Sequence, residues 1–305
     1  MELLQLQYFL TVARLEHVTE AARSLHVTQS SLSKTIQRLE EDLGVPLFDR
    51  IGRKLRLNEF GRRFLHRAER ALFELEQGKQ ELSDLSSPGH GTLELAVTTA
   101  STLPNILREF RKKRPSVQFH VQMLTTQEMV TLLQRGEVDF CLSSPPIKGD
   151  GIECQIVFID PILVAVPKGH RLADRSSVSL TELRDEWFVG VKKGYGTRDI
   201  VDAVCKSVGF SPKYVYEGDE PARLSTLVES EIGIAFIPST ARYSSEHVKY
   251  LHIENHELER EIALLWNRSR YMSRAALEFR EIVVEYFASI SKQAKSDDLN
   301  STKKA

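Results

Sequence analysis

The sequence predicts an α/β protein in three parts: a winged helix-turn-helix, a long dimerisation helix, and a two-lobed domain of alternating strands and helices. Three observations predict it. Residues 19–44 read as two short helices joined by a tight turn, residues 61–85 carry a heptad of mainly apolar and small side chains, and from residue 92 onward short apolar runs alternate with amphipathic stretches. With 305 residues, 41% of them hydrophobic, the chain is long enough to bury large cores and to divide into two or three domains.

In the first helix Leu6, Phe9, Leu10 and Ala13 recur at the period of one buried face, and in the second Val18, Ala21, Ala22 and Leu25 do the same. Thr19 and Thr28 stand where a side-chain oxygen can accept from a first helical turn, and Gly44 followed by Pro46 supplies a stop after Leu43. The adjacent alanines let two helices cross steeply at close range. On the third helix Leu32, Ile36, Leu39 and Leu43 form the inward stripe. Gln29, Ser30, Ser33, Lys34, Gln37 and Arg38 are left pointing outward or toward the N-terminal end. Gln can pair with adenine, Ser lets a helix sink into the major groove, and Lys or Arg reaches phosphate or guanine.

Residues 47–57 read as two short strands around an Ile51-Gly52-Arg53-Lys54 turn, with Leu55 and Leu57 turned in and Lys54 and Arg56 turned out. From Arg50 to Arg67 there are seven Lys or Arg and one acid, Glu59, although the whole chain carries a formal charge of only -1. A local excess of this kind suits a phosphate-binding edge, with Arg53 reaching the flanking minor groove. The expected DNA-binding set is Thr28, Gln29, Ser30, Ser33, Lys34 and Arg38 on the helix with Arg53 and Lys54 on the wing.

The run Gln5-Leu6-Gln7-Tyr8-Phe9-Leu10, then Thr19-Glu20-Ala21-Ala22, residues 25–34, Leu39-Glu40, Leu43-Gly44 and Leu47-Phe48-Asp49-Arg50 resembles the amino-terminal signature of LysR-type transcriptional regulators. The resemblance implies a winged helix-turn-helix, a long dimerising helix and an effector domain like periplasmic solute-binding proteins. It also implies a regulator, activator or repressor, that binds a dyad-symmetric promoter site as an oligomer and answers to a small molecule. Double-stranded DNA, a small-molecule effector, a homodimer through the long helix pairing into tetramers, and RNA polymerase are the implied partners. Two residues depart from the usual pattern: Ser30 stands where many members have Pro, and Asn58-Glu59-Phe60-Gly61 replaces the commoner Thr-x-Ala-Gly.

Asn58 can cap a helix reaching about Leu85, in which Gly61, Ala68, Leu75 and Leu82 fall at one heptad position and Phe64, Ala71, Gly78 and Leu85 at the other. Such a stripe needs a partner, and a homodimer is the natural solution. Residues 86–91 then form a hinge. The expected division is 1–58 for the DNA-binding head, 59–90 for the linker helix and hinge, 91–292 for the effector domain, and 293–305 for a polar, disordered tail. Within the effector domain, lobe one comprises 91–160 and 267–292 and lobe two 161–266.

The effector domain alternates strands and helices, which predicts parallel sheets with helices on their faces: strands at 92–97, 117–124 and 138–142 with helices at 103–114 and 127–135, then strands at 163–166, 187–189, 214–216 and 234–237 with helices at 197–208 and 220–230. The chain closes with a strand at 262–266 and a helix at 274–290. In open parallel sheets a ligand binds beyond the carboxyl ends of the strands, where helix N-termini point N–H groups at it. Residues 98–102, 125–126, 143–144 and 194–197 occupy that position, and their hydroxyls and amides suit a small anion such as a carboxylate. Matched to the effector site of the resembling family, Thr99, Ser101, Thr126, Ser144 and Thr197 are the expected contacts, with Glu217 and Pro238 at the rim.

Other chemistries have little residue support. His247, His252 and His256 are spread over a loop and a short strand, so no metal or other cofactor is expected. Cys141, Cys154 and Cys205 are odd in number and widely spaced, which argues for reduced thiols, and Cys141 sits in an apolar run that disfavours a thiolate sensor. No Gly-x-Ser-x-Gly or phosphate-loop motif points to an enzyme. No apolar stretch approaches about eighteen residues and the start lacks a signal-peptide pattern, so neither a membrane span nor export is expected and the cytoplasm is the expected compartment. The rival reading is a small-molecule binder whose basic head makes only nonspecific charge contacts with DNA.

Overall fold

The computed structural model describes residues 1–51, 54–86, 91–98, 101–194, 196–219, 223–243 and 245–302, with side chains described except at 50, 51, 54, 83 and beyond 292. The chain divides into two compact units, Met1–Ser86 and Ser87–Ala305.

The first unit opens with α1 (Leu3–Leu15), α2 (Val18–Ser24) and α3 (Gln29–Leu43), followed by an antiparallel pair, β1 (Phe48–Ile51) and β2 (Lys54–Leu57), and then α4 (Glu59–Ser86). Phe9, Val12, Ala21, Leu32 and Leu39 are fully buried at the centre of the three-helix core. Thr28 caps α3, its Oγ1 accepting from the Ser31 amide at 3.2 Å, and Gly44 ends it in the left-handed region at φ 73°. The expected cap at Thr19 is displaced: α2 starts two residues earlier than a cap there would place it, so His17 stands at its N-cap and Thr19 lies inside the helix.

Glu40 ties α3 to the wing, its Oε1 accepting from the Leu47 amide at 2.7 Å and the Phe48 amide at 3.3 Å. Asn58 caps α4 through its Oδ1 to the Gly61 amide at 2.9 Å and anchors back by donating Nδ2 to Pro46 O at 2.9 Å. Gly61 has a packing reason, because a Cβ there would stand 2.1 Å from Leu47 O.

The heptad on α4 divides in two. Gly61 and Ala68 are buried and Phe64, Leu65 and Leu72 pack on the head's core, while Leu75, Leu82 and Leu85 are 53%, 68% and 71% exposed. The expected seam therefore serves the head itself at Gly61, Phe64 and Ala68 and is open at Ala71, Leu75, Leu82 and Leu85.

The second unit consists of β3 (Gly91–Val97), α5 (Leu103–Lys113), β4 (Val117–Met123), α6 (Thr126–Arg135), β5 (Phe140–Ser143), β6 (Ile152–Pro167), β7 (Ser177–Ser179), β8 (Trp187–Val191), α7 (Gly196–Ser207), β9 (Lys213–Gly218), α8 (Leu224–Glu229), β10 (Ala235–Pro238), β11 (Val248–Glu254), β12 (Glu259–Asn267) and α9 (Arg274–Thr302). The main sheet runs β4-β3-β5-β12-β6-β11-β7, with β10 also on β6. In lobe one the parallel strands β4, β3 and β5 pack one face on α5 and α9 through Leu93, Leu95, Phe110, Phe140, Phe279 and Phe287. The alternate residues, Ala96 and Cys141 among them, face α6 through Met129 and Leu133.

The sheet is not parallel throughout, as the alternation predicted. β6 is one 16-residue strand that leaves lobe one and enters lobe two without a helix between, so β12, β10 and β11 all pair with it antiparallel. In lobe two β6 is buried on both faces, which is why Leu163–Val166 stand out as an unbroken apolar run. A second parallel pair, β8 and β9, joins β10 through the Phe188–Ile234 bridge. α9 continues to Thr302, past the expected end near Ile290, through residues that carry no apolar stripe to mark them in the sequence. Residues 303–305 lie outside the described residues, as does most of the expected hinge.

Candidate functional site

On the head, the inward stripe of α3 leaves Thr28, Gln29, Ser30, Lys34 and Arg38 exposed and Ser33 half-buried. Thr28 and Ser30 hydroxyls lie 3.2 Å apart, so Thr28 serves the helix start rather than standing free. Arg53 and the Lys54 side chain lie outside the described residues, while the neighbouring Arg56 is exposed on β2. The face is polar, presented by a helix of 15 residues and backed by a packed core, which is the geometry a major-groove reader requires.

In the second unit a cleft of about 880 Å³ opens between the lobes. Its lobe-one wall is built by Thr98 after β3, Thr126 at the start of α6, and Ser144 after β5. Thr98 Oγ1 accepts from the Ser144 amide at 3.0 Å and so joins the two strand ends. Thr125 and Glu128 form a reciprocal cap that fixes the first turn of α6. Opposite stands the start of α7, with Gly196 and Thr197 in the lining. Gly196 is required there, since a Cβ would meet Pro145 Cδ at 2.8 Å. Two helix starts thus line one cavity, and the first turn of a helix carries N–H groups that lack intrahelical partners and a partial positive charge.

Of the residues expected at the effector site, Thr126, Ser144, Thr197 and Pro238 line the cleft. Thr99 lies outside the described residues. Ser101 is exposed and is not in the lining; the next residue, Thr102, takes the buried position that leads into α5. Glu217 is turned to Arg198 instead of the rim.

The sequence reading missed the two arginines that frame the cavity. Arg198 is 5% exposed, donates Nε to Asp202 at 2.7 Å and Nη1 to both Glu217 at 2.6 Å and Val191 O at 2.8 Å, and stacks 3.5 Å over the Tyr214 ring. Burial disfavours its charge, but the hydrogen bonds to Asp202 and Glu217 more than offset this and leave its pKa above the ordinary value. Burial also raises the Tyr214 phenol, keeping it neutral. Its place one residue after Thr197, at the start of a helix, was the only available signal for Arg198. Arg260, 6% exposed, pairs with the fully buried Asp160 across the β12–β6 register, Nε to Oδ2 at 2.9 Å. Asp160 also accepts from Ser239 Oγ, Thr240 N and Thr240 Oγ1 at 2.7, 3.1 and 2.6 Å. These groups pin the point where the chain passes between lobes.

Cys141 and Cys205 are buried in different elements, and burial pushes each thiol up to about 12. Neither is disposed to form a thiolate near neutral pH. Among the described residues no helix is long and apolar enough to cross a membrane.

A DNA-reading head together with a ligand cleft between two lobes defines a one-chain sensor and regulator. Residues 3–62 match the bacterial regulatory helix-turn-helix protein family of lysR type, and residues 86–288 match the LysR substrate binding domain. The chain belongs to the LysR family of transcriptional regulators, which are not enzymes. Among its relatives is the uncharacterised regulator YybE of Bacillus subtilis, 34% identical over 291 residues that cover 94% of this chain and all of that one. The dual regulator GltC of the same organism is 30% identical, covering 95% of this chain and 99% of GltC. A full-length OxyR variant from Pseudomonas aeruginosa shares the fold, with a TM-score of 0.69 at 22% identity over 93% of this chain and 98% of that one.

Proposed function

We propose that this chain binds a dyad-symmetric promoter site as a homo-oligomer and changes its hold on that site when a small anionic effector enters the cleft. Gln29, Ser30, Ser33, Lys34 and Arg38 read the groove, Arg53 and Lys54 hold the flanking backbone, and the open Leu75, Leu82 and Leu85 face of α4 supplies the pairing of two copies. The effector rests on Thr126, Ser144 and Thr197. Lobe closure alters how the heads are held and how RNA polymerase is engaged at the promoter, in the cytoplasm where the DNA lies. The dual regulator GltC among its relatives supports a chain able to act in either direction.

The observation that carries this reading is α3, whose Gln29, Lys34 and Arg38 side chains make no hydrogen bond or ion pair among the described residues while its apolar face is buried. Binding to the chain's own upstream region and to scrambled duplex, at one moderate salt concentration, tests it. A preference of roughly a thousandfold is expected. Equal affinity for both would leave only nonspecific charge contact and end the reading.

A further inference from the structure

The lobes are joined by β6 and β12, and each lobe holds these strands up to a definite residue. On the lobe-one side β12 pairs with β5 from Ala263 to Leu265. Phe158 and Ile262, opposite each other in the β6–β12 register, are buried in the core under α9, where the Phe158 and Phe287 rings stack with centroids 5.6 Å apart. On the lobe-two side β6 is flanked by β10 from Ile162 and by β11 from Val164. Asp160 carries that hold two residues further. Its carboxylate accepts from Ser239 and Thr240, which follow β10, and from Arg260 on β12.

Between Phe158–Ile262 and Asp160–Arg260 stands one cross-strand pair, Ile159 and Glu261. Both residues are exposed, Ile159 at 43%, so neither core holds their side chains. Ile162 donates its amide to Leu258 O at 2.7 Å, and the alternation of an antiparallel ladder then makes Ile159–Glu261 a pair whose N–H and C=O groups point away from each other. Close by, the register slips. Val157 is one residue more than β12 matches between Ile156–Ala263 and Phe158–Ile262, and a bulge of this kind disrupts the ladder and increases local twist. We infer that the two lobes turn about the Ile159–Glu261 pair, with Phe158–Ile262 and Asp160–Arg260 as the ends of the two rigid bodies. The inference rests on the lobe closure proposed above and gives it a place. A hinge needs residues whose φ and ψ can change without tearing packing or ladder bonds, and this pair meets both conditions. Pro238, Ala241 and Arg260 line the cleft from the lobe-two side and move with it.

Pulsed electron spin resonance distances between one label on each lobe test the hinge. The labels are placed by Gln118→Cys in β4 and Lys249→Cys in β11, both exposed, in the full-length chain with its exposed Cys154 replaced by Ser. An excess of unlabelled chain confines the signal to distances within one copy. Ile159→Gly and Glu261→Gly give the pair more backbone freedom, and each is expected to widen the distance distribution roughly twofold. Gln155→Gly, also exposed on β6 but inside the lobe-one ladder opposite Leu264, is expected to leave the width unchanged.

An unchanged width in both hinge variants overturns the inference, and so does a control that widens as much as they do. The pair has one member on each strand, so a variant that fails to fold leaves the other to decide. Failure of both to fold overturns the hinge as well, since an exposed pair held by neither lobe tolerates glycine. The comparison of upstream and scrambled duplex is independent of these distances. A chain that prefers its own upstream region yet shows no widening loses the hinge and keeps the regulator, whereas equal affinity for both duplexes ends the regulator whatever the distances show.

Discussion

Gln29, Lys34 and Arg38 stand exposed on α3 with no side-chain hydrogen bond or ion pair among the described residues, whereas Arg198 and Arg260 at the cleft are buried and already hold carboxylates. On the proposed reading, the head keeps these groups free for a duplex whose base edges and phosphates complete them. The cleft uses its charges to build a frame, and the rest of its lining is hydroxyls, helix starts and apolar walls. The difference teaches that charge in a site is informative only after its partners are counted. On the head, exposed Lys and Arg mark the proposed contact surface; at the cleft, the most conspicuous cations mark the scaffold.

The largest test of this contrast falls on the frame. Asp160→Ala leaves Arg260 buried without its carboxylate, and breaking one side of such a pair costs about 3–5 kcal/mol. The second unit is expected to melt far earlier while the head's own unfolding transition stays in place. Replacing both members with Leu and Met is expected to recover most of the loss, since a buried pair exchanged for apolar packing is often neutral. No recovery would show that Asp160 acts mainly through Ser239 and Thr240.

Gly61→Ala probes the head in the same way at smaller cost. The added methyl meets the Leu47 carbonyl, and overpacking of this kind costs about 1–3 kcal/mol. Separate calorimetric transitions for the two units are expected, with only the head's lowered and DNA affinity falling with it.

Acid titration separates the units more gently. Hydrogen bonding to Arg114 holds the Glu278 carboxyl below its ordinary range, and the pair joins α5 to α9 at 2.6–2.7 Å. A depressed folded pKa gives stability that is complete above the unfolded value and is lost as pH falls through the folded one. Lobe one is therefore expected to weaken below the normal glutamate range, and Glu278→Gln should flatten that acid slope. An unchanged slope would assign the acid sensitivity to other carboxylates.

What could be read in advance follows from how local each cause is. The cap at Thr28, the stop at Gly44 and the stripe Leu32, Ile36, Leu39 all depend on neighbours within a few residues, and the structure has each of them. The seam on α4 was visible as a period, but the period does not say what covers it, and the head takes its first turns. The first half of β6 carries exposed Ile156 and Ile159 beside Glu153 and Gln155, so it has no clean alternation to reveal a strand. Thr126, Ser144 and Thr197 were legible because strand ends and helix starts are local features. Asp160 and Arg260 are a hundred residues apart and meet only through strand register, which a single sequence does not display.

The smallest expected effect on stability gives the sharpest test. Gln29→Ala and Lys34→Ala remove exposed side chains that make no hydrogen bond or ion pair among the described residues, so each should leave the melting temperature nearly unchanged, within about 0.5 kcal/mol. Their cost appears only on DNA. Gln29→Ala should weaken the specific site by about 1–3 kcal/mol and relax preference at one base pair, whereas Lys34→Ala should weaken all sequences and lower the salt slope by about one. A destabilised head would mean that these groups already have partners. Loss of binding with stability intact, set beside the collapse of the second unit in Asp160→Ala, would establish that one unit reserves its polar groups for an external partner and the other has already used them within its own frame.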